Sequence, residues 1–237
     1  MILLIYLAVI SYSIGFYRSA FVYAGLLFQI GYMAHRGMTL GRLPIIGPHD
    51  TLFFMSLSTM LFAGAISFRQ KDRRGILLPQ VGLTLLFIGL SLLYKPHNAP
   101  LPPVLRTFWF ESHVALSFFA YALFGIAAVL GLMFLIKKDQ QAELLQYKAI
   151  LVGYCFFSTA MVFGGIWAFY AWGTYWLWTP KELWTVILWL FYSLYLHARL
   201  RPWWLGRPSA YLSIAGFLIV MFTYLGVSLF MKSSHSF

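Results

Sequence analysis

The feature that most constrains this chain is the recurrence of apolar stretches long enough to cross a bilayer, separated only by short polar clusters. A transmembrane helix needs about 20 predominantly apolar residues. The sequence predicts eight such spans: Ile2 to Phe16, Ala20 to Ala34, Thr51 to Phe68, Ile76 to Tyr94, Val114 to Ile136, Ile150 to Trp172, Leu183 to Ala198, and Ala210 to Met231. Only 10% of the residues are charged and 61% are hydrophobic, which excludes an ordinary soluble domain. The expectation is an all-α polytopic integral membrane protein, with residues 1–237 forming a single transmembrane domain. The first segment has no basic stretch before its apolar run and no small-residue cleavage site after it, so it reads as a span rather than a removable leader.

The net charge of +11 does not point to nucleic acid, because the basic residues sit in the short connections between apolar runs. There they report orientation. The loops after spans one, three, five and seven hold eleven: Arg18, Arg69, Lys71, Arg73, Arg74, Lys137, Lys138, Lys148, Arg199, Arg201 and Arg207. The opposite side holds six: Arg36, Arg42, Lys95, Arg106, Lys181 and Lys232. This imbalance predicts an outer N-terminus, an outer Trp-rich connection and an outer C-terminus. His35, His49, His97, His113 and His235 then fall on or near the outer face, and His197 at the inner end of span seven. Cys155, the only cysteine, lies inside an apolar run, so the chain contains no disulfide and no CxxC site. Walker A, GxGxxG and HExxH motifs are absent.

The densest chemistry lies in "WGTYWLWTPKELW", Trp172 to Trp184, within a connection that spans 167–184. Trp and Tyr collect at membrane interfaces because the ring is apolar and its polar edge bonds water. That reading suits any one of them. The concentration of Trp167, Trp172, Tyr175, Trp176, Trp178 and Trp184 also suits a stacking platform for a flat apolar ligand. Gly173 would let such a ligand approach the backbone, and Lys181 would meet an anionic group. Haem has these properties and takes neutral imidazole as an axial donor. His113 and His235 are the outer pair for that role, or else ordinary helix-end histidines. His197, beside Arg199, is either a second ligand on the inner side or a side chain that snorkels to water.

Together these segments resemble the cytochrome c assembly family, and most closely its CcsA (ResC) branch from the system II synthetase. "WGTYWLWTPKELW" is similar to the family's WWD signature, W-G-x-Y-W-x-W-D-P-K-E-x-W. "RLPIIGPHDTLFFMSL", "ESHVALSFFAYALF", "YLHARL" and "FTYLGVSLFMKSSHSF" carry the likeness along the rest of the chain. The resemblance implies that Trp172, Gly173, Tyr175, Trp176, Trp178, Thr179, Lys181, Glu182 and Trp184 form an external platform for haem b, with His113 and His235 binding its iron. It further implies that His197 belongs to a transmembrane haem site completed by a CcsB (ResB) partner. The implied activity is haem lyase: haem carried across the membrane is attached to the CxxCH thiols of apocytochrome c after other proteins reduce them; on general grounds the membrane is expected to be a bacterial inner membrane rather than a thylakoid. Thr179 stands where the signature has Asp. A threonine keeps the capacity to cap the following helix but not the charge. The alternatives are therefore a CcmC-like haem transporter or chaperone, or a divergent paralogue that binds haem without ligating it. Two readings from other classes are a structural membrane protein whose Trp residues form only a belt, and a copper site built from the outer histidines.

Overall fold

The computed structural model describes residues 2–68 and 70–227. Regular structure among them is entirely helical. The chain divides into two compact units at Pro100 and Leu101. The first contains α1 (Ile2–Gly15), α2 (Ala20–Leu40), α3 (Pro48–Ser67) and α4 (Arg73–Leu92). The second contains α5 (Phe108–Lys137), α6 (Gln140–Trp172), α7 (Pro180–Ala198) and α8 (Arg207–Met221), the last running on into a π-helical turn at Phe222–Gly226.

Among the described residues each expected span overlies a helix, but five helices there are long and apolar enough to cross a membrane: α3, α4, α5, α6 and the Arg207–Gly226 segment. The other three differ for identifiable reasons. At 14 residues, α1 is about 21 Å long at 1.5 Å per residue, short of a hydrocarbon core of about 30 Å. Gln29, His35 and Arg36 interrupt the apolar character of α2, and α7 opens with Pro180, Lys181 and Glu182. Several helices also begin earlier than hydropathy alone predicts, because polar caps start them. Thr107 accepts from the Phe110 amide at 3.2 Å to open α5, and Asp139 accepts from Gln141 at 2.9 Å to open α6. Orphan amides at a helix start need such acceptors, wherever the apolar stretch begins.

Within the first unit, α1 packs on α2 with the Tyr12 ring against Gly25, and α2 joins α3 through polar side chains. The Tyr12 hydroxyl bonds Gln29, whose amide donates to Ser56 Oγ at 2.8 Å. Arg36 and Asp50 form a two-pronged pair, Nε to Oδ1 at 2.6 Å and Nη2 to Oδ2 at 2.8 Å. Their side chains are 3% and 0% exposed. The remaining guanidinium donors reach Asn98 Oδ1 and the His97 carbonyl, both at 3.1 Å, which ties the segment after α4 to α2 and α3.

In the second unit α5 and α6 lie side by side along their length. Gly153 faces the Phe124 ring, and Phe157 packs against both Tyr121 and Phe124. Small residues allow the close backbone approach on which helix association in lipid depends. Tyr192 of α7 stacks on Phe124 at 3.7 Å and sits against Gly216 of α8. At the C-terminal end of α7, Arg199 pairs with Glu143, and Gln146 donates to the Tyr195 hydroxyl and the Ser209 carbonyl, each at 3.0 Å.

Removing one member of a buried ion pair strands the other without compensation, at a cost of about 3–5 kcal/mol. Asp50→Ala and Arg36→Leu should each lower the thermal midpoint in detergent markedly. The double Arg36→Leu, Asp50→Leu variant should lose less than the sum of the two. Additive losses would show that the pair is not coupled.

Candidate functional site

One end of the second unit gathers the start of α5, the end of α6, the Trp-rich connection and the start of α7. The Trp184 ring meets Phe222 at 4.6 Å, which brings the end of α8 to the same place. α6 stops because Gly173 adopts a left-handed conformation, φ 74°, and its amide closes on the Phe169 carbonyl. Glycine takes this conformation without strain. Nothing lies within 4 Å of where its Cβ would be, so the backbone is open to approach there.

The connection is then closed by a capping box. Thr179 Oγ1 accepts from the Glu182 amide at 3.4 Å, while Glu182 Oε2 accepts from the Thr179 amide at 2.7 Å and from Leu177 at 3.1 Å. Thr179 therefore caps α7, as expected of this residue, and Pro180 follows at the first helical position. Between these two fixed ends the aromatic rings spread. Tyr175 is 60% exposed and stacks on Phe169 at 4.6 Å, and Trp178 is 70% exposed. Trp178 has φ 58°, a left-handed backbone that a bulky residue adopts only under strain, on the order of 1–3 kcal/mol. Trp172 is exposed at one edge yet meets the buried Trp167 ring at 4.7 Å. The Trp176 indole N–H is buried and, among the described residues, has no hydrogen-bond acceptor. Lys181, in the first turn of α7, is half-buried, and desolvation pushes its ammonium below the usual lysine range.

His113 stands in the second turn of α5, half-buried against α6. Its Nδ1 lies 2.8 Å from the Ala160 carbonyl oxygen. A carbonyl only accepts, so Nδ1 carries a proton, and in the neutral imidazole Nε2 keeps its lone pair. Two turns further along α6, Trp167 packs on Phe110 at 5.1 Å and donates its indole N–H to the Val104 carbonyl at 2.9 Å. Trp167 thus packs between Phe110, three residues before His113 on α5, and Trp172 at the end of α6, where the Trp-rich connection begins.

His197 is elsewhere. It lies eighteen residues after Thr179, at the far end of α7, about 27 Å away at 1.5 Å per residue. It is exposed, and its Nδ1 donates to the Ser193 carbonyl at 2.7 Å, which leaves Nε2 directed away from that bond. His235 lies outside the described residues. In the first unit His49 is committed on both nitrogens, to the Ser91 carbonyl at 2.9 Å and the Tyr32 hydroxyl at 2.8 Å, and is structural. His35 is exposed and His97 half-buried. No group of three His, Cys, Asp or Glu side chains comes together among the described residues, so nothing there supports the copper reading.

Residues 47–235 match the family model described as Cytochrome C assembly protein. The chain belongs to that family. Among its relatives is the cytochrome c biogenesis protein CcsA of Chlamydomonas reinhardtii, 32% identical over 216 residues that cover 83% of this chain and 61% of the relative. The chain thus spans about three-fifths of that relative's length. CcsA of Guillardia theta is 30% identical, covering 85% of this chain and 79% of the relative. CcsA of Prochlorococcus marinus strain NATL1A is 29% identical, covering 89% and 81%. The family match takes in α3 to α8, and with them the Trp-rich connection and all three candidate ligands, His113, His197 and His235.

Thr179→Ala removes the cap and should lower stability by about 1 kcal/mol. Thr179→Asp replaces one good cap by another and should leave the thermal midpoint within a degree or two of the parent. A large loss with Asp would show that the position does more than cap.

Proposed function

We propose that this chain is the CcsA-like subunit of a membrane cytochrome c synthetase, which holds haem b at the Trp-rich end of its second unit for attachment to apocytochrome c. The observation that carries this reading is the state of His113. Its imidazole is anchored through Nδ1 and offers Nε2 as a neutral donor, at the end of the helix pair that also bears the exposed indoles. Metal-binding histidines are typically oriented in this way, through the second nitrogen.

The remaining residues fit the same ligand. Tyr175 and Trp178 offer exposed ring faces for a flat macrocycle, and Gly173 leaves the backbone open beside them. The Trp176 N–H and the Lys181 ammonium suit carboxylates such as haem propionates. His235 would be the second axial donor. His197, at the opposite end of α7, would serve a separate site completed by a CcsB-like partner, which explains why one chain carries donors so far apart.

Thioether formation is an addition: the thiol hydrogen and sulfur add across a vinyl double bond, with no leaving group and no net change in redox state. The chain's contribution is positional. Holding both reactants in register makes the encounter effectively intramolecular, which is where catalysis of such a step is to be found. The two cysteines come with the substrate, consistent with Cys155 being the only one here. Other proteins must keep those thiols reduced. The platform would face the periplasm of a bacterial inner membrane or, as relatives in algae make reasonable, the lumen of a thylakoid.

The neutral Thr179 favours a second reading, in which haem is bound and handed on without ligation. Purification with the partner from a haem-replete host separates the two. The wild type should give a reduced, low-spin b-type spectrum. His113→Ala or His235→Ala should lose it or turn it high-spin, and added imidazole should restore it. Wild-type protein without haem, or haem indifferent to both substitutions, would overturn the proposal. Holocytochrome yield, scored beside the spectrum, distinguishes lyase from carrier.

A further inference from the structure

We propose that Gly164, together with the Ala160 carbonyl, is a positioning residue that fixes the tautomer and orientation of His113. The inference rests on the reading of His113 as a ligand, but its geometry stands independently. In α6 the Ala160 carbonyl is the helical partner of the Gly164 amide four residues on. A carbonyl oxygen has two lone pairs, and His113 Nδ1 takes the second at 2.8 Å.

That second lone pair is reachable only because residue 164 has no side chain. Side chains on a helix lean toward its N-terminus, over the preceding turn. A Cβ at 164 would lie 2.6 Å from His113 Nδ1 and 2.8 Å from its Cε1, closer than real Cβ contacts allow. The imidazole would have to leave the carbonyl. Once released, it interconverts between two tautomers and several orientations, and the Nε2 lone pair is no longer presented in one direction. The neighbouring glycine provides a control. A Cβ at Gly165 would meet only the Tyr175 carbonyl, at an ordinary 3.6 Å.

The test has two arms. In apo protein labelled with 15N-histidine, the His113 resonances, identified by their loss in His113→Ala, should report a protonated Nδ1 and an unprotonated Nε2. In the haem-loaded complex, Gly164→Ala should convert the low-spin spectrum to high-spin, with recovery on adding imidazole, while Gly165→Ala should leave the spectrum as in the wild type. An Nε2–H tautomer in the apo protein, or a folded Gly164→Ala variant that stays low-spin, would overturn the inference. If Gly164→Ala does not fold, the apo spectrum of the wild type decides. Wild-type protein that binds no haem would remove the ligand reading, and the apo arm would still confirm or refute the seat.

Discussion

The second unit depends on the close antiparallel packing of α5 against α6. In lipid there is no hydrophobic gain from bringing two apolar helices together, so association relies on van der Waals fit and the occasional hydrogen bond. Both are present along this pair. Gly153 admits the Phe124 ring at one level, Gly164 admits the His113 imidazole at another, and Trp167 fills the space beside Phe110 nearer the end. Once this register is set, the place where α6 must stop is also set, and with it the origin of the Trp-rich connection. The His113 imidazole is therefore placed by the same contacts that place the aromatic rings. A one-turn slip of the pair would separate them by about 5.4 Å.

Polar groups within each unit add specificity that apolar packing lacks. In the first unit the Arg36–Asp50 pair fixes α2 against α3 and collects the segment after α4 through Asn98 and the His97 carbonyl. Tyr32 and His49 add a second link, to Ser91 at the end of α4. In the second unit the Glu143–Arg199 pair, with Ser209 and Gln146, holds together the ends of α6, α7 and α8 far from the Trp-rich connection. Buried charges are costly to desolvate and contribute little net stability. What they supply here is a defined partner for each helix, which a uniform apolar surface does not provide.

The helical architecture was legible in the sequence because hydropathy tracks it directly, and every expected span overlies a helix. Helix ends were less legible. Residues such as Thr107 and Asp139 start helices through single hydrogen bonds that average hydropathy ignores. Of the candidate site, the Trp-rich stretch and the role of Thr179 as a cap could be read from spacing, since a Thr with Glu three residues later is a local signal. The state of His113 could not. Its anchor is a backbone carbonyl 47 residues away, and Gly164 carries no chemistry of its own to mark it. Conversely, His49 offers the same side chain in the sequence as His113, and only the three-dimensional contacts with Tyr32 and Ser91 remove it from the set of available donors.

The departure at Thr179 becomes narrower when the capping geometry is considered. An aspartate there would cap α7 through the same acceptor, so the local fold does not require the carboxylate. Closure of the connection falls instead to Glu182, whose oxygens are committed to the Thr179 and Leu177 amides. What threonine removes is one negative charge beside exposed rings and close in sequence to Lys181. For an anionic ligand this is a gain in attraction, because a carboxylate at 179 would repel carboxylates on the ligand while threonine does not. For a step that needs a charge to steer a substrate or accept a proton, it is a loss. Under the proposed function, binding and ligation would therefore respond to this position in opposite senses. Trp178, with its strained left-handed backbone, immediately precedes this cap.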